Sequence, residues 1–326
     1  MNPRKIILDT DPGGDDAFAL LWLQSLAKQG IAEIVAVTTV DGNVRARQTF
    51  SGASQLLALG NSDPVDVGRG VITDTESDIG EASHIHGKDG MGNLSETLPK
   101  PIHGYKKATF SDDLLIERLN AAPDEIIVIA IGPLTNLASA ERKSPGILKK
   151  AKEIIVMGGA FHTYGNVTPH AEFNIAFNPE AAQTVFSNRA DIVVIPLDVT
   201  HHLIFTPEMA AQVRGVKPDS AIAKFVVSLC DFMTQTALAY RETKGVPGFL
   251  VHDAATIAYL FYPETLTFRR AQVSIETQGT ATRGKTLIDD RHVPKVTANA
   301  WIATQVNAIE TLAILIEDLK FIVQSN

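Results

Sequence analysis

Four aspartates, Asp9, Asp11, Asp15 and Asp16, fall in the stretch "IILDTDPGGDDAFAL" (Ile6 to Leu20), around Pro12, Gly13 and Gly14. Like charges gathered at one strand end repel one another, and that cost calls for a positive partner. A hard divalent cation such as Ca2+ or Mg2+ takes carboxylate and carbonyl oxygens, and several Asp side chains on one tight glycine-containing turn can converge on it. Zinc suits the cluster less, because it offers neither Cys nor His. The plainer use of Asp15 or Asp16 is to cap the following helix, whose positive dipole end tolerates an anion. One cap would be ordinary; four acids are more than capping needs.

Two further groups could do chemistry. In "GNVTPHAEFNIAFNPEAA", Asn166, Glu172 and Asn174 sit in a loop between a glycine-rich strand exit and a helix opened by Pro179. In extended chain Glu172 and Asn174 face the same side. Amides beside a carboxylate match the alternating donors and acceptors of a sugar diol, although an Asx-rich surface loop has the same composition. In "VHDAATIAYLF", His252 and Asp253 stand at a helix start. His252 could donate a proton near neutral pH. Asp253 could be another metal oxygen or an N-cap, and taken alone the cap is the better reading.

The elements that must hold these groups are short β-branched runs: "KIILDT", "EIVAVTT", "PVDVGRG", "EIIVIAI", "EIIVMGG" and "DIVVIPLD". Runs that are apolar throughout suit strands covered on both faces, hence a mainly parallel sheet. Helical patterns alternate with them over 15–28, 45–59, 112–120 and 179–187. This predicts an α/β chain, an open, mostly parallel, doubly wound (Rossmann-like) sheet with helices on both faces. Ligands of such sheets bind outside the carboxyl ends of the strands. There lie the Asp cluster, "TTVDGN", "IGPLTN", "GGAFHTYGN" and "LDVTHH".

The stretch from Gly70 to Phe110, with "SHIHGKDGMGN", is too long for an ordinary connection and reads as a functional loop or lid. Residues 243–248, "TKGVPG", form a turn-rich joint. After Thr267, "FRRAQVSIETQG" and "TRGKTLID" read as a few additional C-terminal antiparallel strands before a closing helix over "WIATQVNAIETLAILIEDLKFI". No linker divides the chain, so 1–326 reads as one domain.

Composition narrows the partners. With 326 residues and 45% of them hydrophobic, the chain can bury a large core. A net charge of −8 without a basic stripe argues against a nucleic-acid binder. The one cysteine, Cys230 in "FVVSLCDFM", excludes an internal disulfide framework and fits core packing in a reducing compartment. The start "MNPRKIILDT" lacks a signal peptide's apolar stretch, and no uninterrupted apolar run reaches bilayer length. The expectation is a soluble, cytoplasmic protein without a membrane partner.

Taken together, "DTDPGGDDAFAL" resembles the motif of the calcium-dependent nucleoside hydrolases, the inosine-uridine preferring N-ribohydrolases. Further motifs follow in that family's order: "DGN" (41–43), "IGPLTNLA" (131–138), "MGGAF" (157–161), "GN" (165–166), "AEFN" (171–174) and "HDAATIAYL" (252–260). The resemblance spans nearly the whole chain and implies hydrolysis of ribonucleosides to free base and ribose. It implies that Asp11 is both a calcium ligand and the base toward the attacking water, that Asp16 is a second ligand, and that Asp253 and the Ile131 carbonyl close the site. Family members often have Thr at the position of Ile131, but a carbonyl ligand survives that change. Asp15, Asn43, Glu172 and Asn174 would hold the ribose hydroxyls, Asn166 the 5′ side, and Phe173 would lie near the ring oxygen. Asp9 would support the turn from behind, and His252 would serve the leaving base.

His86, Tyr240 with Arg241, and Tyr164 could border the base. The family also implies a homodimer or homotetramer. Two rivals remain at this level. A haloacid-dehalogenase-type phosphatase would use Asp9 as nucleophile and Asp11 as acid–base partner, but Pro12-Gly13 replaces the Gly-Thr usual there. A non-catalytic, calcium-dependent nucleoside sensor would keep the site without turnover.

Overall fold

Ile6 and Leu8 pack on one side of the central sheet and Ile7 on the other, and Ile127 and Ile129 alternate in the same way with Val128 and Ala130. This two-sided burial is why the strands are apolar throughout. The computed structural model describes residues 2–61, 64–71, 79–289, 291 and 297–326.

The first half of the chain runs β1 (Arg4–Thr10), α1 (Gly14–Lys28), β2 (Ala32–Thr39), α2 (Ala46–Leu59), β3 (Asp66–Gly68), α3 (Ser83–His86), α4 (Ser111–Ala121), β4 (Ile126–Ala130), α5 (Thr135–Lys143) and β5 (Glu153–Met157). Then come α6 (Phe173–Phe177), α7 (Pro179–Asn188), β6 (Ile192–Ile195), α8 (Leu197–Thr200), β7 (Ile204–Phe205), α9 (Pro207–Gly215), α10 (Ala221–Tyr240), β8 (Phe249–Leu250) and α11 (Ala254–Phe261). The chain closes with β9 (Leu266–Ala271), β10 (Val273–Ile275), β11 (Thr286–Ile288), β12 (Ala300–Val306) and α12 (Ala308–Ser325).

Eight strands form one sheet in the order β3-β2-β1-β4-β5-β6-β12-β9, parallel except where β9 runs against β12. Two small antiparallel ladders, β10 with β11 and β7 with β8, stand apart from it. On one face α1, α2, α9, α10, α11 and α12 share a core, and on the other α4, α5 and α7 share a second. The mostly parallel, doubly wound sheet expected from the sequence is therefore present. Strand order reverses between β1 and β4, so the crevice for a ligand opens at their carboxyl ends.

One expectation needs correction. The predicted closing helix starts too early, because Trp301 to Val306 belong to β12, paired with β6 and β9. The turn into α12 comes at Asn307, whose side chain accepts from the Glu310 N–H. A strand wedged between two partners overrides helical propensity. Helix α10 passes a length-and-composition test for crossing a membrane, but Lys224 and Asp231 interrupt its apolar run and half of it is buried in the fold. Its buried face includes Phe225, Leu229 and Cys230, which stands in the core as expected. The long connection from Gly70 to Phe110 carries α3 toward the crevice; its residues 72–78 lie outside the described residues.

Candidate active site

Asp11 follows the end of β1 and is fully enclosed beneath the cavity rather than among its lining residues, and the helix that follows presents Asp15 and Asp16 from its first turn. All four aspartates are buried: Asp9 and Asp11 are fully enclosed, Asp16 is 2% exposed and Asp15 8%. Asp9 turns away from the crevice, accepting from Thr38 Oγ1 at 2.6 Å and Asn136 Nδ2 at 2.7 Å. Those two donors suit a support for the turn; the other oxygen, Oδ2, is buried with no hydrogen-bond partner. Asp16 accepts from Thr10 Oγ1 (2.5 Å), the Gly13 N–H (3.0 Å) and Asn43 Nδ2 (3.2 Å). Its carboxyl thus reaches back to the N-cap Gly13 N–H of its own helix and also lines the cavity described below.

Asp253 arrives from the far end of the chain, at the N-cap of α11, and makes no side-chain capping bond. Capping, the better reading from sequence alone, is not what its carboxyl does. Ligand oxygens of Asp15, Asp16 and Asp253 lie within 4.8 Å of one another. At an effective dielectric of about 20, each pair of charges at such a distance repels by roughly 3 kcal/mol. Burial first, and the neighbouring acids after it, push Asp11 and Asp253 well above the carboxylate range and Asp15 to about 8. Burial alone lifts Asp9 to about 7 against its two donors.

These residues fit a hard cation. Asp11 Oδ2 accepts from the Asn43 N–H at 2.8 Å, whereas Oδ1 is buried with no hydrogen-bond partner. An orphaned carboxylate oxygen beside three convergent carboxyls is an oxygen-only donor set, as calcium prefers. The Ile131 carbonyl borders the same cavity and accepts from Asn174 Nδ2 at 2.9 Å, which leaves a second lone pair.

The cavity holds about 530 Å³ and is lined by Asp15, Asp16, Asn43, His86, Ile131, Asn166, Glu172, Phe173, Asn174, His252 and Asp253. One wall is the 166–174 segment, and here the expected geometry differs. Glu172 and Asn174 are not paired on extended chain: Glu172 is the N-cap of α6 and Asn174 lies inside that helix. Glu172 Oε1 accepts from the Asn174 N–H at 2.8 Å, and Oε2 from Gly159 and Ile175 N–H groups. Burial nevertheless raises its carboxyl above the ordinary range. Asn166 Oδ1 accepts from the Phe173 N–H at 2.9 Å, tying the loop to the helix start.

The opposite end of the cavity is a group of rings. His84 stands edge-on to Tyr240 at 5.5 Å, and His201 edge-on to His252 at 5.9 Å. Burial, with His201 and His86 beside it, pushes His252 down to about 3, so the ring is neutral where its unperturbed value would have it titrate. Burial and His84 take His86 down to about 4. His84, His201, Met157, Met233 and Glu242 also line the cavity, Met157 beside Asn174, and sequence reasoning missed them as site residues. The strand-end position of "LDVTHH" was the available signal for His201. Arg241 and Tyr164 do not line the cavity, and Tyr164 is 80% exposed.

A larger depression of about 910 Å³ lies at the amino ends of β6 and β12. Its two arginines are spent on backbone carbonyls, Arg189 on Leu148 and Ala151, Arg270 on Ala190 and Ala298. The acidic cavity is the one with convergent chemistry.

Comparison with known proteins agrees. Residues 6–313 match the family model described as inosine-uridine preferring nucleoside hydrolase. A Leishmania major inosine-uridine preferring nucleoside hydrolase is 34% identical over 322 residues, covering 98% of each chain. A plant nucleoside hydrolase structure superposes with a TM-score of 0.84 at 33% identity, covering 98% of this chain and 99% of that one. A purine-preferring ribonucleoside hydrolase from Gardnerella vaginalis superposes at 0.89 with 25% identity, covering 99% and 100%.

Proposed function

Because the chain belongs to the inosine-uridine preferring nucleoside hydrolase family, we propose that its acid-lined cavity works on ribonucleosides with calcium held by Asp11, Asp16, Asp253 and the Ile131 carbonyl. The chain is a nucleoside N-ribohydrolase, an enzyme acting on N-glycosyl bonds. The observation that carries the mechanistic reading is the bare, buried Oδ1 of Asp11 beside the carboxyls of Asp15, Asp16 and Asp253.

Cleaving the bond from ribose to base passes through an oxocarbenium-like state, which needs positive charge tolerated on the sugar. Calcium, when bound, polarises the attacking water and orients the ribose diol. Asp11 accepts the water's proton. Asp15, Asn43, Glu172 and Asn174 hold the ribose hydroxyls, Asn166 takes the 5′ side, and Phe173 covers the ring oxygen. Glu172 is held rigid by three backbone N–H groups, which supports a positioning part for it.

His252 and His86 face the base. A neutral His252 serves the leaving group by donating an N–H hydrogen bond to it; full proton transfer would require the imidazolium that burial disfavours. The family resemblance supports reading the assembly as a homodimer or homotetramer, and the single cysteine, Cys230, buried in the core, is compatible with a reducing, cytoplasmic location. The deciding experiment is reducing-sugar release from uridine, cytidine, inosine, adenosine and guanosine, with and without chelator. Calcium-restored release of ribose is expected; nucleoside binding without release would favour a sensor.

A further inference from the structure

Thr200 is fully buried behind His252, and its Oγ1 lies 2.7 Å from Nδ1 of that ring. His252 lines the cavity and Thr200 does not, so the hydroxyl approaches the ring from the side away from the substrate. The pairing is built into the fold. Thr200 ends α8 at the exit of β6, and the chain then forms β7. Strand β7 pairs with β8, Ile204 opposite Leu250, and the Val251 N–H donates to the Leu203 carbonyl at 3.0 Å. This short ladder brings residues far apart in sequence into register, so that Thr200 meets His252.

The direction of the hydrogen bond decides which ring nitrogen carries hydrogen. Among the described residues, His252 Nδ1 is the one hydrogen-bond partner of the Thr200 hydroxyl. If Nδ1–H donated, the hydroxyl hydrogen would be buried with no acceptor, which is the costlier arrangement. If the hydroxyl donates, no polar hydrogen at this contact is left unpaired. The neighbouring His86 shows the same arrangement without ambiguity. Its Nδ1 accepts from the Gly14 peptide N–H at 3.0 Å, and a peptide N–H can only donate.

We propose that Thr200 is the positioning residue for the leaving-group side of the reaction: its hydroxyl donates to His252 Nδ1, keeps the hydrogen on Nε2, and aims that N–H at the departing base. The proposal rests on the reading that His252 serves the leaving base. As the ribosyl C–N bond breaks, its electron pair passes to the base, and the Nε2–H bonds to the base atom that gathers the charge. A ring free to turn or to change tautomer would offer a lone pair there instead, which repels.

The test compares Thr200→Val, which removes the hydroxyl at constant shape, with Thr200→Ser, which keeps it. Thr200→Val should lower kcat on uridine about tenfold with KM little changed. It should leave a nitrophenyl riboside, whose leaving group departs unaided, within about twofold. Thr200→Ser should restore uridine turnover, and adding Thr200→Val to His252→Ala should cause no further loss. Equal slowing of both substrates, or a further loss in the double variant, overturns the proposal. Long-range 15N NMR of the unaltered protein needs no variant to fold: Nδ1 should be the unprotonated nitrogen, and a protonated Nδ1 overturns it. If His252→Ala itself leaves uridine turnover unchanged, the reading of His252 falls and the proposal with it. A slow His252→Ala beside a Thr200→Val of ordinary speed overturns the part given to Thr200 alone.

Discussion

Asn43 holds Asp11 from two sides, its backbone N–H donating to Oδ2 at 2.8 Å and its side-chain Nδ2 donating to the Asp11 carbonyl at 3.0 Å. One carboxylate oxygen is thereby fixed, and the other is left buried without a hydrogen-bond partner. Asp11→Asn keeps an acceptor for the Asn43 N–H but removes the charge and the basicity. Turnover should fall by at least about a hundredfold. Chelated Asp11→Asn should melt no lower than the chelated parent, because one buried acid has been taken from a crowded set. Reducing-sugar release and a thermal scan in chelator check both halves, and a variant of near-parental activity would remove Asp11 as the base.

The raised carboxyls set a pH dependence whose sign can be worked out. In the cation-free fold Asp15 titrates at about 8 and Asp9 at about 7, far above their unfolded values. Through that window the folded chain binds more protons than the unfolded one, so stability falls as pH rises. His86 and His252, held near 4 and 3, pull the other way only below about pH 6.5, where the unfolded chain takes up protons. Chelated protein should therefore melt higher at pH 7 than at pH 9. Calcium binds the deprotonated carboxylates, so the stabilisation it adds should grow over the same range. Scanning calorimetry at pH 7, 8 and 9, with chelator or with calcium, reads both trends. A chelated protein that melts higher at pH 9 contradicts the buried-acid picture.

Much of this site could be read from the sequence because its strongest group is local. Asp11, Asp15 and Asp16 sit on one turn whose strand and helix are each signalled by their own pattern, and the strand style was enough for a doubly wound sheet. What could not be read depends on distant contacts. Asp253 looked like a helix cap because nothing near it in sequence shows that α11 begins beside the Asp turn. Glu172 looked like half of an extended pair because a helix of five residues, Phe173–Phe177, is too short to leave a periodic pattern. Val306 and the residues before it looked helical because β9 and β6, which recruit them into the sheet, are set by topology. The neutrality of His252 was hidden for the same reason, since burial and the company of His201 and His86 are properties of the fold.

Behind the Asp turn, α1 is tied to the C-terminal helix through one buried carboxylate. Asp318 accepts from Trp22 Nε1 at 2.6 Å, Tyr262 Oη at 2.7 Å and Gln29 Nε2 at 2.8 Å. Replacing it by Ala leaves these donors facing a space with no acceptor. Asp318→Ala should cost about 3 kcal/mol or more in denaturant unfolding. Turnover per folded molecule should stay close to the parent's, because Asp318 touches no group that lines the cavity. A loss of kcat without a loss of stability would show that the tie tunes the site rather than the fold.

Two glycines enclose the Asp11 carboxylate, and they test its placement without altering it. A Cβ at Gly132 would lie 2.4 Å from Asp11 Oδ1 and 2.9 Å from Val40 Cγ1; one at Gly42 would lie 2.0 Å from Asp11 Oδ2. The objection is space alone, since neither glycine lies in the left-handed region. Asp11 is the softer neighbour, so Gly132→Ala should push its carboxylate aside while the surrounding core holds. Calcium affinity, read from the rise in melting temperature on titrating chelated protein, should weaken by about tenfold or more, and turnover should fall at least as far. Gly215→Ala is the matched control, because a Cβ there meets nothing within 4 Å. It should leave both quantities unchanged. If Gly132→Ala retained full calcium affinity and turnover, Asp11 could not need the position in which Asn43, Gly42 and Gly132 hold it, and its double duty as ligand and base would fall.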